Sequence, residues 1–204
     1  FLSIRINNEV WPKDVEIFDS TVITLFKDIF KACGRLPKDG RRKGGLKSFV
    51  KITLGERIPN FICLKSAATN EKVFLSFLDL PRGTIAVFDK GFQKFKQYAE
   101  WTANGIFFIT RMNKNAKFKI LRQRPLAEAC ETGVQMDAEV ELEYKSNNDI
   151  KTTKARMVAY IDPATNNRLI FLTNQFTLKA LTICMLYKSR WTIEPLFKQI
   201  KQNF

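Results

Sequence analysis

The residues best suited to chemistry lie at the end of the chain, in Tyr187-Lys-Ser-Arg190-Trp-Thr-Ile-Glu194-Pro-Leu-Phe-Lys-Gln-Ile-Lys201-Gln-Asn-Phe204. At about 3.6 residues per turn, a helix would bring Tyr187, Arg190, Glu194 and Lys201 within roughly 60° of one another, on one stripe. Ile193, Leu196, Phe197, Ile200 and Phe204 fall on the neighbouring stripe, so an apolar face adjoins a mixed-charge face. A solvated surface stripe is the plain reading of such a pattern. The composition argues for more. One carboxylate flanked by two cations and a phenol suits a metal-binding acid surrounded by groups that hold phosphates.

The body that must position this stretch is strongly basic. The 204 residues carry 34 Lys and Arg against 20 Asp and Glu, a formal net charge of +14, spread over the whole length and not confined to one tail. A field of that sign suits a polyanion, nucleic acid before an anionic membrane. No apolar run is long enough for a membrane span, and no basic amphipathic anchor or lipidation motif is present, so no membrane partner is expected and the cytoplasm is the expected location. The content, 45% hydrophobic and 26% charged, is globular. Without a histidine, a zinc site is disfavoured and a histidine-based triad is impossible. Cys33, Cys63, Cys130 and Cys184 form no CxxC pair and are expected to be reduced core residues. The chain opens on Phe1 and stops at Phe204 with no glycine cap, which fits a segment of a longer protein.

In chain order, Asp14-Val-Glu-Ile-Phe-Asp19 reads as a strand that puts Asp19 on the side of Val15 and Ile17. A carboxylate on an apolar face needs a cation beside it, unless Asp19 merely caps the apolar segment that follows. Arg35 to Gly45 is a loop rich in glycine and cations that can lie close to a phosphate backbone. Leu46–Ile52 and Asn60–Lys65 complete a three-strand meander, and Glu71–Leu78 fits a short helix. Thr84-Ile-Ala-Val-Phe-Asp89 is a buried central strand ending in an acid. The helix Gln93–Asn104 and the strand Ile106–Arg111 follow, which implies a right-handed parallel crossover and puts Asp89 at the carboxyl edge of a sheet. Lys117 to Thr173 turns β-rich, and Leu178–Tyr187 is a helix leading into the final stretch.

The spacing Tyr-x2-Arg-x3-Glu-x6-Lys resembles the signature of the IS4 family of DDE transposases, with every position filled. Ile17-Phe-Asp-Ser-Thr21, Lys43-Gly-Gly-Leu-Lys47, Val87-Phe-Asp-Lys-Gly-Phe92, Phe107-Phe-Ile-Thr-Arg111 with Lys114-Asn-Ala116, and Phe171-Leu-Thr-Asn174 are also similar to that family. The resemblance implies an α/β, ribonuclease-H-like mixed sheet flanked by helices, with a β-rich insertion before the last acid. The first part of the core would span 1–116, the insertion 117–176 and the helical end of the core 177–204. It implies Asp19, Asp89 and Glu194 as catalytic acids and metal ligands. Tyr187, Arg190 and Lys201 would grip DNA phosphates, with Arg111, Lys114, Lys43 and Lys47 as further DNA contacts.

The expected activity is cut-and-paste transposition. Three carboxylates would hold two Mg²⁺ ions, which Mn²⁺ could replace. One ion would activate water or a 3′-hydroxyl and the other would stabilise the leaving oxygen. The partners would be double-stranded transposon ends and target DNA, with the chain acting as a homodimer. Two alternatives stay open: a DNA-binding remnant without catalysis, and a nuclease of the same fold that does not transpose. Pro195 departs from a continuous helix, because proline inside a helix costs about 3 kcal/mol but little in the first turn. A new helix is therefore expected from about Thr192, with Thr192 as its N-cap.

Overall fold

The structure, a computed structural model, describes residues 12, 14–24, 45–56, 58–126, 133–147 and 149–202. Lys43, the rest of the basic loop before Gly45, Cys33, Cys130 and Phe204 lie outside these residues. The described strands are β1 (Val15–Thr24), β2 (Gly45–Thr53), β3 (Phe61–Ser66), β4 (Ile85–Phe88), β5 (Phe107–Arg111), β6 (Phe118–Gln123), β7 (Val134–Ser146), β8 (Asp149–Ile161) and β9 (Arg168–Thr173). They form one mixed sheet in the order β3-β2-β1-β4-β5-β9-β8-β7-β6. The α-helices among the described residues are α1 (Phe95–Ala103), α2 (Ala180–Lys188) and α3 (Glu194–Gln202). Short 3₁₀ segments run over Glu71–Phe77 and Ser189–Ile193.

The meander expected from the sequence is present, with β2 antiparallel to both β1 and β3. β4 and β5 run parallel to β1, joined through α1, as the buried strand–helix–strand pattern requires. Every residue of β4 is buried because both faces of this central strand are covered. On one face Val15, Ile17, Val87, Ile109 and Phe171 pack with Ile183, Leu186, Tyr187, Ile193 and Phe197 of the C-terminal helices. On the other, Phe18, Phe88 and Phe108 pack with Phe74, Phe92, Tyr98 and Trp101. This second layer is rich in aromatic rings. Phe18 stacks on Phe88 at 4.8 Å and Tyr98 on Phe108 at 4.3 Å.

The β-rich stretch joins the same sheet and does not stand apart from it, since β9 pairs antiparallel with β5. Where that ladder runs out, Asn174 extends it with its side chain. Its Oδ1 accepts from the Phe108 amide at 2.8 Å, and its Nδ2 donates to the Ile106 carbonyl at 2.9 Å. A buried ion pair ties the long hairpin to the approach of α2. The Arg156 guanidinium donates to both oxygens of Asp137 at 2.8 and 2.7 Å, and to the carbonyls of Gln175 and Leu178 at 3.1 and 2.7 Å.

The last helical stretch is divided, as Pro195 requires. α2 ends at Lys188, a 3₁₀ segment covers Ser189–Ile193, and α3 begins at Glu194 with Pro195 in its first turn. Thr192 is not the cap. Its hydroxyl donates to the Ser189 carbonyl at 2.7 Å, because the preceding 3₁₀ turn leaves that acceptor within reach. Among the described residues, no helix is long and apolar enough to cross a membrane.

Candidate active site

β1 and β4 carry two of the three expected acids to neighbouring positions. The parallel register between them runs from Val15↔Ile85 to Phe18↔Phe88, so Asp19 and Asp89 occupy the next step, just past the last ladder pair. Adjacent strands lie about 4.8 Å apart and equivalent positions of parallel strands share a face, which aims both carboxylates at the C-terminal helices. The contacts there agree. The Tyr187 hydroxyl donates to Asp89 Oδ1 at 3.0 Å, and an Arg190 Nη1 forms a short ion pair with Asp19 Oδ2.

Asp19 is thus the acid on an apolar face that the sequence predicts, and Arg190 is the cation beside it. Its carboxyl is nonetheless pushed up to about 6, chiefly because burial penalises the charged form. The charge of Asp89 raises it further, while Arg190 and the Ser20 amide, which donates to Asp19 Oδ1 at 2.8 Å, hold it down. The Tyr187 phenol is raised well above its usual range by burial, by the Asp89 charge and by its bond to Asp89, so it stays a neutral donor. Arg190 lies over the Tyr187 ring, 5.9 Å from its centroid.

Glu194 joins through Arg190 and not through the aspartates. Arg190 Nη2 lies 3.6 Å from Glu194 Oε1, an i,i+4 pair that survives the change from 3₁₀ to α-helix between them. The Glu194 side chain is 59% exposed, against 11% for Arg190 and 15% for Asp19. The guanidinium therefore stands between two acids as their common counter-ion. Its Nε is buried and has no hydrogen-bond partner. Among the described residues, no three Asp, Glu, Cys or His side chains are grouped as a metal cage. Asp19 and Asp89 alone still offer hard oxygen donors of the kind that Mg²⁺ binds through one or two carboxylates, with water and phosphate filling its other positions. The donor set fits a divalent cation at the two aspartates.

The remaining expected residues divide. Arg111 ends β5 close enough for its charge to act on Tyr187. Lys114 and Lys201 are exposed on the surface. Lys47 is only 13% exposed at its side chain and is occupied internally, donating to the Thr69 carbonyl at 2.8 Å and pairing with Glu71 at 3.8 Å. Lys43 lies outside the described residues. Sequence reasoning assigned no role to Glu71, whose Oε1 accepts from the Ser20 hydroxyl at 2.7 Å, one residue from Asp19. An acid opening a short helix carries no signal of that contact.

Comparison with known proteins gives the same direction. The chain is 31% identical over 194 residues to the Sinorhizobium fredii (strain NBRC 101917 / NGR234) protein called "Putative transposase y4zB", covering 93% of this chain and 52% of that protein. It is 23% identical to the Geobacillus stearothermophilus protein called "Probable transposase for insertion sequence element IS5377", covering 94% of this chain and 49% of that one. The chain thus spans about half the length of these curated relatives. Its fold is similar to that of a chain in the cryo-EM structure of the piggyBac transposase synaptic complex with hairpin DNA, with a TM-score of 0.51 and 9% identity over 93% of this chain and 40% of that one. The family described as "Transposase DDE domain" matches residues 11–204, from before β1 to beyond α3, and the chain belongs to that family.

Proposed function

We propose that this chain is the catalytic part of a DNA transposase, acting on phosphodiester bonds of double-stranded DNA through Asp19, Asp89 and Glu194 with a divalent metal ion. One observation carries the reading: the two aspartates lie at equivalent register on adjacent parallel strands, one step past the last ladder pair, and one helical segment engages both, Tyr187 on Asp89 and Arg190 on Asp19. Asp19 and Asp89 would hold the metal, with Glu194 completing the set. A divalent ion bound there supplies the positive charge that activates a water or 3′-hydroxyl and stabilises the leaving oxygen.

The protein's own groups have distinct tasks in this reading. Tyr187 fixes the rotamer of Asp89 through a neutral hydroxyl. Arg190, freed from Asp19 and Glu194, offers a planar fork to a phosphate, for which guanidinium geometry is suited. That exchange of partners lets Glu194 turn towards the aspartates. Lys201, Lys114 and Arg111 extend the cationic surface along the duplex, in keeping with the net charge of +14. The strand order β3-β2-β1-β4-β5 supports a ribonuclease-H-like core within the larger sheet. Membership of the family supports transposase chemistry, and an IS4-like cut-and-paste route would use hydrolysis and strand transfer as successive in-line displacements at one site. Two transposon ends would be held by a pair of chains.

The pairing of Glu194 with Arg190 also favours a second reading, a chain that binds DNA without cutting it. A nicking assay separates the two. Supercoiled DNA carrying candidate ends is incubated with the chain and Mg²⁺ or Mn²⁺. The enzyme reading expects nicks that require metal and vanish in Asp89→Ala. Binding without nicking would leave the second reading standing.

A further inference from the structure

The β1–β4 ladder stops at Phe18↔Phe88, one step short of Asp19 and Asp89, so no ladder bond joins the two aspartates themselves. Glu71 lies where it can brace β1 and the end of β4 just beyond that last pair. Ser20, next along β1, points to the sheet face opposite Asp19, and there its hydroxyl donates to Glu71 Oε1 at 2.7 Å. Through its amide, Ser20 also donates to Asp19 Oδ1. The second oxygen of Glu71 rests against Gly91, two residues past Asp89. A Cβ placed on Gly91 would lie 2.0 Å from Glu71 Oε2. Gly91 does not have a positive φ, so the glycine serves here to admit the carboxylate and not to make a strained turn. Lys47, held by the Thr69 carbonyl, balances the charge at 3.8 Å.

We propose that Glu71 is a positioning residue that spans the back of the sheet from Ser20 to Gly91 and sets the spacing of Asp19 and Asp89. It touches neither substrate nor metal, and the inference rests on the reading of those aspartates as the metal-binding acids. Groups that orient metal ligands from behind change metal affinity by about 10–100-fold when removed.

The test is Mn²⁺ titration of the chain followed by electron paramagnetic resonance, with melting curves to confirm folding. Glu71→Ala and Ser20→Ala are each expected to weaken Mn²⁺ binding about tenfold. The double variant should be no weaker than either single one, because both changes break the same link. Glu71→Gln keeps an oxygen for Ser20 and should recover most of the affinity. Phe74→Leu, in the same 3₁₀ segment, serves as a control that destabilises without touching the link. Wild-type affinity in Glu71→Ala, alongside loss in Asp89→Asn, would overturn the proposal and leave the site reading intact. A loss in Phe74→Leu equal to that in Glu71→Ala would also overturn it, by showing a merely structural effect. If the wild-type chain does not bind Mn²⁺, the site reading itself fails and the proposal falls with it.

Discussion

Asp137→Asn tests the physics that holds the C-terminal helices on the sheet. Arg156 is 2% exposed and Asp137 5% exposed, and their two hydrogen bonds are at 2.8 and 2.7 Å. Removing one charge of such a pair strands the other in a low-dielectric interior, at a cost of roughly 3–5 kcal/mol. For a domain of this size, 1 kcal/mol moves the melting temperature by about 2–4 °C, so the expected drop is roughly 6–20 °C. Replacing both partners by apolar residues (Asp137→Leu with Arg156→Met) removes the stranded charge. It also leaves the Gln175 and Leu178 carbonyls without their donor, at about 1–3 kcal/mol each. The double variant should therefore also melt below the wild type, by an amount comparable to that of Asp137→Asn. Thermal unfolding followed by circular dichroism reads all three. A drop of less than about 2 °C in Asp137→Asn, or a double variant as stable as the wild type, would refute the reasoning.

Two further outcomes follow from the site. Asp19 has a folded pKa of about 6 against an ordinary value of 3.8, so the folded state binds more protons between these limits and its stability falls as pH rises through that window. Asp19→Asn lacks this loss. Measured against the wild type in chemical denaturation, the variant should gain by up to roughly 3 kcal/mol on going from pH 4 to pH 7, and a pH-independent difference would contradict the assignment. In DNA binding measured against salt, Lys114→Ala and Lys201→Ala should each lower the slope of log K on log salt by about 1. Lys47→Ala should leave the slope unchanged, since its ammonium already serves Thr69 and Glu71.

Much of the frame was legible because it rests on local patterns. The apolar run before Asp89 and the helix and strand after it imply parallel neighbours, and β4, α1 and β5 are arranged that way. The proline after Glu194 marked the break between helices, because a missing amide and a ring clash can be read from one residue. The cation needed by Asp19 was foreseeable from burial alone, but its identity as Arg190 was not, since the Tyr-x2-Arg-x3-Glu-x6-Lys spacing pointed that guanidinium at DNA phosphates. What escaped depends on contacts between residues far apart in the chain. Asp137 and Arg156 sit on alternating strands like many exposed charges, and only the docking of Gln175 and Leu178 reveals them as a buried pair. Glu71 gave no sign of its contact with Ser20, 51 positions earlier. Lys47 looked like any basic residue in a glycine-rich region until the fold turned it inward. The position of Thr192 failed as a cap because the 3₁₀ turn before Glu194 offered its hydroxyl a carbonyl instead.

In the proposed reading Asp19 and Asp89 act as one cation-binding pair whose resident counter-ion is Arg190. Mn²⁺ titration of the wild type, Asp19→Asn, Asp89→Asn and Arg190→Met measures it most directly. Saturable binding by the wild type is expected, with its loss in either aspartate variant and tighter binding once Arg190 no longer competes. Binding that survives in both aspartate variants, or that weakens in Arg190→Met while the chain stays folded, would contradict it.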